Sequence, residues 1–84
     1  MDRIEDWLHV LTGVDCPWCV KAIDTLRDHD MQFVAIAVTP ETRQQYIDAG
    51  ITTVPHITVG PTLDPNSEVI GGYEGLLAWM GADI

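Results

Sequence analysis

Cysteine is scarce in this chain of 84 residues: Cys16 and Cys19 are the whole supply. A single close pair in a reducing compartment reads as catalytic or metal-binding rather than as a structural staple. Zinc would need two further ligands, and His9, His29 and His56 are scattered, with no second C-x-x-C or H-x₃₋₅-H. No metal site is therefore expected. Basic residues are also few, with four Lys or Arg against 13 Asp or Glu and a formal charge of −9. That balance argues against a sequence-independent nucleic-acid binder and favours a solvated surface, with room for a partner that offers a basic face. There is no 18-residue apolar run, so no membrane span is expected. Met1 to Asp6 lack a basic-then-apolar leader pattern, so the chain is expected to stay in the cytoplasm where it is made. Repeats and low-complexity segments are missing too. What remains is ordinary globular composition, 46% hydrophobic and 20% charged. It supports one domain spanning residues 1–84, a modest core and a monomer.

Patterning divides the chain into seven elements. Trp7 to Leu11 is an apolar run closed by Thr12-Gly13 and reads as a buried first strand. His9 within it reads as a strand residue that faces outward or is held by a hydrogen bond. From Pro17 the pattern becomes helical: Cys19, Ile23 and Leu26 share a face with Val20 and Ala22 beside them, and the helix should stop near Asp28 to Asp30. Phe33 to Val38 is nearly continuous in apolar residues, which suits a parallel strand buried on both faces. Thr39-Pro40-Glu41 is a helix start, and Gly50 caps that helix after Ala49. His56 to Val59 alternates, as a half-exposed strand opened by Pro55 would. A long turn over 60–67 leads to a short strand, Glu68 to Ile70, broken by Gly71-Gly72. A final helix over Glu74 to Met80 carries Leu76, Leu77 and Met80 inward. The order is β-α-β-α-β-β-α, an α/β domain with one right-handed βαβ unit.

Cys16-Pro17-Trp18-Cys19 stands where the first strand hands over to the first helix. A C-x-x-C at that point of a βαβ pattern reads as a redox motif of the thioredoxin type. Residues three apart at a helix start lie within disulfide reach. The unpaired N–H groups and the positive end of the helix favour the thiolate of Cys16, which is the nucleophile. Cys19, one turn in, is shielded and suits a resolving role. Asp15 opposes the thiolate, and Lys21 is the basic residue nearest in sequence. His56 is a candidate proton donor to a leaving thiol, with a half-exposed strand residue as the blander reading.

Three separated blocks, Cys16-Pro17-Trp18-Cys19, Thr53-Val54-Pro55 and Gly71-Gly72-Tyr73, have the order and spacing of a glutaredoxin, which the chain resembles from Trp7 to Met80. The resemblance implies a thioredoxin fold, a four-stranded mixed sheet flanked by three helices. It implies a cis Pro55 opposite the cysteines, and a Val54 backbone that pairs with a bound cysteinyl peptide. Pro17, Trp18, Thr53, Gly71, Gly72, Tyr73 and Glu74 would complete the substrate groove. The implied activity is thiol–disulfide exchange, with no bound cofactor and with glutathione as reductant. Disulfide-containing proteins such as ribonucleotide reductase are the implied substrates.

Several positions depart from the family pattern. Gly13 and Thr52 stand where relatives often carry basic residues, and Glu74-Gly75 replaces a hydroxyl-acid pair that caps the last helix. These departures set an alternative donor, thioredoxin reductase. A further alternative is a thioredoxin-fold binding module whose cysteines are incidental.

Overall fold

The computed structural model describes residues 7–81, so the acidic opening from Met1 to Asp6 lies outside the described residues. The elements are β1 (Leu8–Thr12), α1 (Pro17–Asp28), β2 (Phe33–Ala37), α2 (Arg43–Asp48), β3 (His56–Val59), β4 (Glu68–Gly71) and α3 (Tyr73–Met80). The order is the expected one. The four strands form one sheet in the order β2-β1-β3-β4. β1 runs parallel to β2 and antiparallel to β3, and β3 runs antiparallel to β4. This mixed sheet with three helices is the thioredoxin-type α/β arrangement.

Alternation along β1 and β3 sorts the core into two faces. Val10 pairs with Ile57, and both pack with Leu8, Ala22, Leu26 and Leu76 in the main core beneath α1 and α3. Leu11, His9, His56 and Thr58 take the other face, where α2 lies. β1 is the strand covered on both sides, with Leu8 to Leu11 all buried. His9 is among them, its Nδ1 3.0 Å from the Trp7 carbonyl oxygen.

Both long-loop helix ends are closed by the chain itself. Asp30 and Gly50 follow the caps of α1 and α2 with φ of 53° and 85°. Met31 N–H donates to the Leu26 carbonyl at 3.0 Å, and Ile51 N–H to the Tyr46 carbonyl at 2.8 Å. These are Schellman closures, and they satisfy carbonyls that the helix leaves free. Gly50 is thus the cap that the sequence predicts, while in α1 an aspartate fills the left-handed position.

The structure corrects several details. β2 is an edge strand rather than one buried on both faces: no strand of the described residues lies beyond it, and Ala35 and Ala37 face solvent. β3 is internal rather than half-exposed, with Ile57 and Thr58 both buried and the Thr58 hydroxyl satisfied by the Gly60 carbonyl at 2.9 Å. Regular α2 starts at Arg43. Thr39 instead caps a preceding turn, exchanging bonds with Thr42: Thr39 N–H to Thr42 Oγ1 at 3.0 Å and Thr42 N–H to Thr39 Oγ1 at 3.3 Å. Val20 is 58% exposed, because one helical step of about 100° carries it off the stripe of Cys19, Ala22 and Leu26. β4 takes in Gly71, and α3 begins one residue early, at Tyr73. Leu76 of α3 is fully buried and Met80 packs on the core, whereas Leu77 is only half-buried.

Gly75 of α3 packs directly on the backbone of β4. A Cβ there would collide with the Ile70 carbonyl of β4, so only glycine lets α3 lie against the strand. In an unconstrained helix Gly→Ala gains up to about 1 kcal/mol. Overpacking against a backbone oxygen costs about 1–3 kcal/mol or more. Gly75→Ala is expected to lower the urea midpoint despite its better helix propensity; a raised midpoint would show that α3 is free to slide.

Candidate active site

Pro17 at N1 lets α1 begin without a wasted donor, and Cys16 becomes its N-cap in extended geometry (φ −113°, ψ 94°). Asp15 makes the turn before it with φ 53°, a conformation that aspartate tolerates better than most side chains. Cys16 is half-buried and Cys19 is 3% exposed. The two form a disulfide across a Cα–Cα distance of 5.3 Å. The Cys19 N–H donates to Cys16 Sγ at 3.3 Å, and the Cys16 carbonyl accepts from Val20 N–H at 3.3 Å. An outer sulfur held at the start of a helix with an inner sulfur behind it is the arrangement that nucleophilic exchange requires.

The β1–β3 pairing brings a second segment to this point. β1 leaves the sheet toward the cysteines just where β3 enters it, since Leu11 pairs with His56. The Val54-Pro55 bond is cis, Pro55 is buried, and the Val54 carbonyl oxygen lies 3.8 Å from Cys16 Sγ. Behind Gly13 this corner is tight, because a Cβ on Gly13 would sit 3.0 Å from Val54 Cγ2.

A shallow groove of about 490 Å³ runs beside the corner, lined by Trp18, Thr53, Val54, Pro55, Tyr73 and Glu74, with Gly72 and Gly75 on its floor. Seven of the residues named from the sequence as groove residues thus come together. Pro17 and Gly71 do not line it. Gly71 has φ 107° and open space around it, so it serves the turn out of β4. Gly72 caps α3 through backbone alone: Leu76 N–H donates to its carbonyl at 2.9 Å, and no side chain caps the helix. Two features escape sequence reasoning. Gly75 belongs to the groove, and Lys21 lies with Nζ 4.6 Å from the Trp18 ring centroid. Trp18 in turn packs on Tyr73 with centroids 5.7 Å apart and planes tilted by 38°. Helical spacing of Trp18 and Lys21, three apart, is the signal that would have paired those two.

His56 pairs with Leu11 and so projects to the face opposite α1. It does not line this groove. Among the described residues, no cluster of three or more metal-ligating side chains occurs. No described helix is long and apolar enough to cross a membrane.

A family model, Glutaredoxin, matches residues 10–63, well over half of the chain. The chain belongs to the glutaredoxin family. No curated protein sequence matches it. With its C-x-x-C pair at disulfide distance, family membership supports thiol–disulfide oxidoreductase activity. The match includes the cysteines and the cis proline but stops before β4 and α3, so the place of Gly72 and Tyr73 in the groove rests on their geometry alone.

Two measurements follow from this geometry. Once the pair is reduced, the Cys19 N–H and the helix start should hold the Cys16 thiol below the ordinary value of about 8.5. Thiolate absorbance near 240 nm against pH reads this directly, and a titration at or above that of free cysteine would refute it. Burial lowers the pKa of His56 from 6.5. The unfolded chain then takes up a proton before the folded one does, so stability rises with pH up to about 6.5 and falls as pH drops below it. His56→Gln should flatten that part of the stability–pH curve, read as urea midpoints from pH 5 to 8. Its exchange rates should match wild type between pH 6 and 8, and a lost pH dependence of rate would put the imidazole back in the chemistry.

Proposed function

We propose that the protein reduces disulfides with Cys16 as nucleophile and Cys19 as resolving thiol. The carrying observation is the half-buried Cys16 sulfur at the start of α1, accepting the N–H of the buried Cys19. The Cys16 thiolate attacks one sulfur of a substrate disulfide; a mixed disulfide forms and the other sulfur leaves as a thiol. The Cys19 thiolate then attacks Cys16, closes the 16–19 disulfide and releases the second substrate thiol, so that two electrons pass to the substrate. In the monothiol route a glutathione thiolate takes the place of Cys19.

The bound cysteine lies along Thr53-Val54 in antiparallel pairing with the Val54 backbone, between Trp18 and Tyr73. Pro17 fixes the helix start, and the turn at Gly71-Gly72 brings the open N–H groups of α3 toward the ligand. Glu74 stands in that first helical turn as the one acid of the groove. Glutathione is the reductant that the family favours, and proteins such as ribonucleotide reductase are the substrate class. Gly13, Thr52 and Glu74 favour a second donor, thioredoxin reductase: the corner offers little positive charge to an anionic tripeptide.

The test gives the protein NADPH with glutathione and glutathione reductase, or with thioredoxin reductase, and a protein disulfide. Turnover by the wild type with at least one donor is expected, with a loss of at least about 100-fold in Cys16→Ser. Cys19→Ser should keep turnover with glutathione only. A folded protein inactive with both donors would leave the binding module as the better reading.

A further inference from the structure

Val54 separates the groove from a second, larger cavity of about 680 Å³. Leu11, Val38, Tyr46, Ile47 and Ile51 wall it, and among the described residues Arg43 at α2 is its single charged lining residue. Thr53 and Val54 line both spaces, so the two lie side by side at the cis-proline corner. Val14, 86% exposed, stands on the same rim two residues before Cys16.

We propose that this cavity receives an apolar side chain from the residue that follows the reactive cysteine of a protein substrate. The inference rests on the exchange reaction proposed above, and the alternation of an extended peptide carries it. Cys16 begins α1, which covers the Val10–Ile57 face of the sheet. A substrate cysteine bonded to Cys16 must point to that face, so the next side chain points to the opposite one, where Leu11 and α2 enclose the cavity. Antiparallel pairing with Val54 sends the chain beyond the cysteine toward Thr52 and Ile51, along the cavity wall. The residue before the cysteine runs the other way, over Pro55 and the groove. The space would admit an aromatic or large aliphatic side chain, and its apolar walls select by shape and burial where charge is sparse.

The experiment uses Cys19→Ser with Cys16 first converted to a mixed disulfide by the symmetrical disulfide of 2-mercaptoethanol, so that each peptide thiol displaces mercaptoethanol and stays trapped on Cys16. Peptides Ala-Ala-Cys-Phe-Ala, Ala-Phe-Cys-Ala-Ala and Ala-Ala-Cys-Ala-Ala compete for it at equilibrium, and mass spectrometry reads the adducts. Each exchange swaps one thiol for another with no net oxidation. The peptide with Phe after cysteine should be enriched roughly tenfold or more over the alanine peptide, the worth of burying part of an aromatic ring. Ile47→Asp in the same background should bring the ratio near one; Ile47 is 37% exposed. Should that variant unfold, amide shifts of Tyr46, Ile47 and Ile51 in the Phe adduct, beyond those in the alanine adduct, serve as the second readout. Equal adducts from all three peptides, or enrichment only when Phe precedes cysteine, would overturn the subsite while leaving the exchange reaction intact. No adduct with any peptide, from a Cys16 that still reacts with a small disulfide reagent, would count against the proposed protein-disulfide reaction itself.

Discussion

The pairing of Leu11 with His56 is the constraint on which the rest of the structure depends. It places the exit of β1 beside the entry of β3, and the two connections that leave this junction carry Cys16 and Val54. Their contact of 3.8 Å between sulfur and carbonyl oxygen follows from that register. A slip by one residue would turn Val10 and Ile57 out of the main core and exchange every side chain between the two faces. Burial of Leu11, Val10 and Ile57 at 0% exposure makes such a slip costly. Core packing and site geometry are thus one requirement, expressed at two ends of the same ladder.

The groove wall is assembled by different means. Trp18 is fixed by its place between two cysteines, yet it is 53% exposed and must be held by what surrounds it. Tyr73 and Lys21 supply that hold through aromatic packing and a cation above a ring. Such contacts are each worth about 0.5–1.5 kcal/mol, enough to bias a side chain and too little to lock it. Tyr73 is positioned in turn by α3, whose approach to β4 depends on Gly75 having no side chain. A residue with no functional group thereby sets the width of a chemical groove.

Much of this was legible in the sequence where local chemistry decides the structure. Pro17 after Cys16 marks the helix start, Gly50 marks a helix end, and the buried stripe Cys19-Ala22-Leu26 follows from helical period. The misread parts are those settled by neighbours distant in the chain. Phe33 to Ala37 has the composition of an inner strand, but sheet order puts it at the edge. His56 to Val59 alternates in polarity, yet strands on both sides and cover on both faces bury Thr58, whose hydroxyl turns back to Gly60. Thr39-Pro40 carries a helix-start signature and makes a capped turn, with Thr42 answering Thr39 before the regular helix begins. In the site, the three separated blocks identify the groove because each has unusual residues at a fixed order. The contact of Lys21 with Trp18 and the place of Gly75 in the groove were not legible, because one looks like a surface lysine and the other like a poor helix former.

The charge balance bears on what such a groove can select. A chain at −9 repels an anion at long range, and within a Debye length of about 8 Å only nearby cations offset that. Lys21 is engaged above Trp18, and Arg43 stands across Val54 in the neighbouring cavity. Glu74 opposes them at the first turn of α3. Recognition of a small anionic thiol would therefore rest on backbone pairing along Val54 and on the N–H groups at the start of α3, which no side chain occupies. A protein segment meets different terms. It would bring the same backbone pairing, would add apolar contacts with the walls on both sides of the corner, and, if basic, would be drawn in by the field that repels the anion. The same residues thus weaken the case for one class of partner and strengthen it for the other, and the exchange proposed at Cys16 is common to both.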